Sequence, residues 1–250
     1  LVPLVAEFMP TRWGYEALLV AHYTQNRFNV NFVDDDNVAR WAEFLEGSYL
    51  PEVRGLASYP FLTPPAGEPK ELRRQRVVQR LTALGGELRY LERYSGIASP
   101  LEDASLDVEV YSRDVQRRVG GYLSRVEASI KALREEAAQR RRATEDRMRA
   151  TLGHQGFEEL KNRHFNKEVA KLALGVALVD SVVLSGSRLV PQVLPIAWAP
   201  ENRWGRAHFL APFKRLGPIV VATPLFDVGM LWVMALLLYL ALWGRGLRRG

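Results

Sequence analysis

The chain contains no cysteine among its 250 residues, which excludes a disulfide framework, a thiolate metal site and a thiol nucleophile at once. Histidine is nearly as scarce. His22, His154, His164 and His208 lie far apart and no H-E-x-x-H pair occurs, so no histidine metal centre is expected. There is no G-x-x-x-x-G-K-[ST] phosphate loop and no G-x-G-x-x-G opening a helix after a strand, so these residues cannot bind a nucleotide in either way. No G-x-S-x-G elbow is present, and Ser185 has no obvious partner base. Residues 1–9 lack the charged n-region and small-residue cleavage site of a signal peptide, and the first residue is Leu1. The expectation is a fragment of a longer protein with no catalytic residue, cofactor or metal site of its own.

What is present falls into two solvents. With 48% hydrophobic and 25% charged residues the average is that of a folded protein, but the apolar residues concentrate at the C-terminus and the charges crowd the middle. The net charge of +6 raises nucleic acid as a partner. Its densest part, Arg140, Arg141, Arg142, Arg147 and Arg149, is interleaved with Glu135, Glu136, Glu145 and Asp146. Glu136 to Arg140 and Glu145 to Arg149 are favourable i to i+4 pairs, as on a solvated helix face. Nucleic-acid binding would want a purer basic face with stacking aromatics, and no such partner is expected.

Residues 228–243, VGMLWVMALLLYLALW, carry no charge and continue back through Asp227, Phe226 and Leu225 toward Ile219. A helix needs about 20 apolar residues to cross a bilayer core, so a transmembrane helix is expected over residues 217–244, with 245–250 as a tail. Trp232, Tyr239 and Trp243 suit interface anchors. Arg245, Arg248 and Arg249 after the span nearly balance Arg206, Lys214 and Arg215 before it, so charge leaves the orientation open.

Upstream, Val108, Tyr111, Val115, Val119, Tyr122, Val126, Ile130, Leu133 and Ala137 repeat a spacing of three, four and four. That eleven-residue period predicts a long, nearly straight helix through most of residues 107–148, with Arg141 and Thr144 breaking the seam before Met148 and Leu152. Val77, Leu81, Leu84, Leu88 and Leu91 alternate four and three, so a second helix is expected over residues 68–94 despite Gly85 and Gly86. Residues 95–100 then close an antiparallel hairpin that occupies 68–152. The remainder reads as a short helix over 38–49, a proline-marked linker over 51–69, a break at 153–156 and a helix over 157–174. The apolar, β-branched segment 176–200 follows, punctuated by Gly186, Pro191, Pro195 and Pro200. The fold class expected is mainly α: a long helical hairpin or coiled-coil ectodomain followed by a transmembrane helix.

Two short boxes stand apart. In the first, Met9-Pro10-Thr11-Arg12-Trp13-Gly14-Tyr15-Glu16-Ala17-Leu18, Thr11 suits a helix cap and Arg12 and Glu16 share a face. At a water surface such a pair contributes under about 1 kcal/mol. Within a membrane it would be a functional site by default. The second box, Gly205-Arg206-Ala207-His208-Phe209-Leu210-Ala211-Pro212, runs on to Lys214 and Arg215. It reads as an interface collar in which the cations reach lipid phosphates, with His208 able to engage a carboxylate.

RWGYEALLV resembles the segment that follows the fifth membrane helix in ABC transporter permeases related to the G subfamily, where a short re-entrant helix dips into the membrane. Leu194-Pro195-Ile196, GRAHFLAPFKRLG and the terminal apolar helix resemble the C-terminal end of a bacterial group of such transporters with an enlarged helical ectodomain. The resemblance covers about 20 residues at the start and about 55 at the end. It implies a half-transporter whose ATPase domain, with its ATP and Mg, and first five membrane helices lie upstream. It also implies the end of a preceding membrane segment and a re-entrant helix over 1–25, and an extracytoplasmic domain over 26–216. The implied partners are a second permease half, as a homodimer, the lipid bilayer of the bacterial inner membrane, and an exported substrate. Arg12, Trp13, Tyr15 and Glu16 then fall at the translocation path, and Arg206, His208, Phe209, Lys214 and Arg215 at the membrane collar. The chain departs from better-known members in its long hairpin and in lacking their disulfide-bearing outer loop, so substrate class does not carry over. The competing reading is a bitopic, membrane-anchored coiled-coil scaffold or spacer with no transport activity.

Overall fold

The computed structural model describes residues 8–101, 106–169, 182–191, 205, 207 and 211–247. The chain is mainly α. Its described elements are α1 (Pro10–Thr24), α2 (Val33–Phe44), a π-helical turn (Leu45–Tyr49), α3 (Leu50–Ser58), α4 (Lys70–Ser95) and α5 (Arg113–His164). Two antiparallel hairpins follow, β1 (Val182–Ser185) with β2 (Arg188–Pro191) and β3 (Phe213–Leu216) with β4 (Ile219–Ala222), and α6 (Thr223–Leu247) is the last described element. The elements group into two compact units. One comprises residues 1–37, 141–177 and 194–250, the other residues 38–140 and 178–193.

The second unit holds the helical hairpin. Along α4, Val77, Leu81, Leu84, Leu88 and Leu91 are buried, as their four-three spacing requires, and the helix ends where the Gly96 amide bonds to the Glu92 carbonyl. On the other arm Tyr111, Val115, Val119, Tyr122, Val126, Ile130 and Ala137 are all buried. The eleven-residue seam is therefore a real packing face, with Leu133, 38% exposed, and Leu152, 45% exposed, as exceptions. Residues 107–111 of that seam precede the helix. Asp107 caps a turn there by accepting from the Glu109 amide, and α5 begins only at Arg113. The segment through α3 contacts both arms: Tyr49 packs on Tyr90, Arg54 pairs with Glu127 at 2.5 Å, and the Tyr111 hydroxyl donates to the Ala57 carbonyl at 2.9 Å.

Further boundaries differ from the sequence expectation. The helix expected over 38–49 starts at Val33, where Asp34, Asp35 and Asp36 complement the positive end of its dipole. The expected linker is helical through Ser58, because the π-helical turn Leu45–Tyr49 carries the helix directly into α3 with Pro51 at its start. Gly153, at φ 72 and ψ 167, breaks α5 as expected, and the helix beyond it stops at His164, with 170–174 outside the described residues. Finally, residues 219–222 form a strand, so the apolar helix begins at Thr223 rather than near 217.

In the first unit Phe28, Phe32 and Phe157 form a buried aromatic cluster against Met148 and Leu160. Arg141 bonds Asp36 at 2.8 Å and lies over the Phe32 ring, and Arg149 lies over Phe157. These cations explain why the apolar seam gives way to arginine here: each covers an aromatic face and keeps its charge toward water. The apolar stretch Thr223–Trp243 of α6 reaches a mean hydropathy of 2.2 over an eighteen-residue window, of which 6% is buried. Twenty-five residues at about 1.5 Å each exceed the roughly 30 Å of a bilayer core, so this helix is long and apolar enough to span a membrane.

Candidate functional site

The site is built where α1 lies along α6. In α1 the buried residues are Trp13, Glu16, Ala17, Val20 and Tyr23, a single face at helical spacing with one acid in its middle. In α6 the buried residues are Thr223 and Asp227, one turn apart. Thr223 fixes that end of the helix, its hydroxyl donating to the Ala211 carbonyl at 2.5 Å and its amide to the Pro212 carbonyl at 3.1 Å. Strand alternation in β3 turns Lys214 inward and Arg215 to the other face.

Lys214 Nζ bonds Glu16 Oε2 at 3.1 Å and Asp227 Oδ1 at 2.5 Å. All three side chains are at most 2% exposed. The ammonium also lies 4.6 Å from the centre of the Trp13 ring and 5.1 Å from that of Phe226, and these two rings pack at 6.1 Å. Arg12, half-buried, places its guanidinium 5.0 Å from the Trp13 ring centre. Glu16 Oε1 and Asp227 Oδ2 are buried and have no hydrogen-bond partner. Gly205, at φ 76, passes so close that a Cβ there would sit 2.7 Å from Phe226 Cζ, and its amide bonds the Arg215 carbonyl at 2.7 Å.

Of the residues expected at a translocation path, Trp13 and Glu16 are in this buried cluster, Arg12 borders it, and Tyr15 is exposed. Lys214 corrects the sequence reading. It is a buried cation between two carboxylates, so it does not reach lipid phosphates, whereas Arg215 is half-buried on the other face. Phe213, like Arg215, is half-buried in β3. Arg206, His208 and Phe209 of the collar, and the 194–196 match, lie outside the described residues. In the sequence Asp227 stands out only as the single acid of residues 219–243. Its signal was its distance from Lys214, which a two-residue Gly217-Pro218 turn folds back toward the helix.

No protein-family model, curated protein or solved structure matches the chain. What fold and site define is a class: a mainly α chain with a helical hairpin and, among the described residues, one helix long and apolar enough to cross a membrane, carrying a buried carboxylate–lysine–carboxylate cluster at that helix's first turns.

Proposed function

We propose that the chain is the last part of the membrane domain of an ATP-driven ABC exporter, shaping the outer end of its translocation path. The observation that carries the reading is the link from Glu16 of α1 through Lys214 to Asp227 of α6. At 15 residues α1 extends about 22 Å, too short to span a bilayer and suited to a helix that dips into it. Charged groups at that depth are costly unless paired, and here they are paired with one another. In this reading α1 is the re-entrant helix and residues 26–216 form an extracytoplasmic domain. ATP and Mg act on an upstream domain, and a second copy completes the path around an exported substrate in the bacterial inner membrane.

The ion pairs along the exposed face of α5, Glu136 with Arg140 and Glu145 with Arg149, each at 2.7 Å, favour a second reading, a membrane-anchored spacer. The reading frame that encodes the chain separates the two. A phosphate-loop motif and five further apolar spans upstream of Leu1, with ATP hydrolysis by the full-length protein in nanodiscs, are expected for the exporter. A start codon a few residues before Leu1 overturns it in favour of the spacer.

A further inference from the structure

The exporter reading needs the cluster only as a structural bolt, yet its charges do not balance. Glu16 and Asp227 bring two negative charges and Lys214 brings one positive charge, all buried. One oxygen of each carboxylate is bonded to the ammonium, and the other, Glu16 Oε1 or Asp227 Oδ2, faces no donor. A buried carboxylate oxygen left without a donor is costly, and a net buried charge more so.

The groups that face the pair can be named from each element around it. From α1 come Arg12 and Glu16, from β3 Lys214, with Arg215 turned to the opposite face, and from α6 Asp227. Arg12 acts electrostatically on Asp227, but from a half-exposed position where water screens it, and it bonds neither free oxygen. Trp13 and Phe226 close the ammonium in with ring faces that favour a cation.

We propose that Glu16 and Asp227 form a single-proton binding site bridged by Lys214. Taking one proton from water onto either carboxyl forms one O–H bond, leaves one carboxylate opposite one ammonium, and removes the net buried charge. Giving it up restores the negative charge between α1 and α6 and strains the contact that joins them. The site therefore senses pH at the first turns of the membrane-compatible helix, whether or not the chain belongs to an exporter.

The test is infrared difference spectroscopy of the full-length protein in nanodiscs above about pH 5, where exposed carboxyls are already ionised. The expected result in the unaltered protein is the carbonyl stretch of one buried, protonated carboxyl. That band should vanish in Glu16→Gln alone and equally in Asp227→Asn alone, because either change leaves one carboxylate matched to one ammonium with no need of a proton. Two independent carboxyls would each lose only their own share. Lys214→Met, which removes the cation, should instead strengthen the band. Absence of the band from the unaltered protein, or its persistence in either single variant, overturns the proposal. Both single variants are charge-balanced and are expected to fold.

Discussion

Lys214 and Glu16 meet at 3.1 Å across 198 positions of sequence, and the same ammonium holds Asp227 only thirteen positions away. One side chain thereby ties a β-hairpin and two helices from opposite ends of the chain. The ammonium is tolerable in the interior only because the carboxyl groups flank it.

Lys214→Met should therefore destabilise the first unit by about 3–5 kcal/mol, since it leaves the buried carboxylate without its cation unless that group takes up a further proton. Adding Glu16→Gln and Asp227→Asn to it should recover most of that loss, because a neutral, similarly shaped cluster has no charge to desolvate. Denaturant unfolding in detergent checks both. A Lys214→Met variant as stable as the parent would mean that water reaches the cluster.

In the second unit Glu87 is a buried carboxylate on α4 that accepts from the Tyr49 hydroxyl and from the Leu189 amide at 2.8 Å. It fastens the β1–β2 hairpin to the helix, helped by the Gln79 amide on the Gly186 carbonyl. Glu87→Leu should raise hydrogen exchange at the Leu189 amide about tenfold or more, as expected when a buried bond to a charged group is lost. The amides in the middle of α5 should keep their protection.

Burial pushes the Tyr111 hydroxyl up to about 12, and Tyr94 and Tyr122 are raised by burial in the same direction. The neutral phenol is thus favoured in the folded chain. Its contribution, on the order of 2–3 kcal/mol, is fully present below about pH 10 and lost as pH rises toward 12. Tyr111→Phe gives up the bond to Ala57 and should cost about 1 kcal/mol near neutrality. It should also flatten the alkaline limb in part, leaving what Tyr94 and Tyr122 contribute. Unfolding free energies of the two proteins compared at about pH 8 and about pH 11 read out the difference.

Much of the helical framework could be read from spacing alone. Periodicity reports a face that is buried along its whole length, which is why Val115 to Ile130 on α5 and Val77 to Leu91 on α4 were legible. The small hairpins were not. Val182–Ser185 and Arg188–Pro191 flank a Gly-Ser turn signal, but four-residue strands carry too little alternation to stand out from an apolar stretch. The cluster escaped for a different reason. Glu16 was seen to share a face with Arg12, a local pairing, whereas its partner Lys214 comes from the far end of the chain, and no period links positions that distant. A single acid in the apolar stripe Trp13, Ala17, Val20 and Tyr23 was the available clue, since such an acid requires a buried cation from elsewhere.

Orientation is the remaining point on which the exporter reading can fail, because the basic residues on the two sides of α6 nearly balance. Arg206, Lys214 and Arg215 precede the helix, and Arg245, Arg248 and Arg249 lie at or beyond its end. The burial of Lys214 removes it from that comparison, as a cation held by two carboxylates attracts no lipid headgroup. The count then leans toward a cytoplasmic C-terminal tail, the same direction that the resemblance implies. The chain has no cysteine, so single cysteines introduced at Ala207, which is half-buried and on the near side of α6, and at Gly250 report each side without background. In intact cells a membrane-impermeant maleimide should label the first and spare the second. Labelling at Gly250 with none at Ala207 would turn the hairpin domain inward, and a path opening to the outside could not then be formed by α1 and α6.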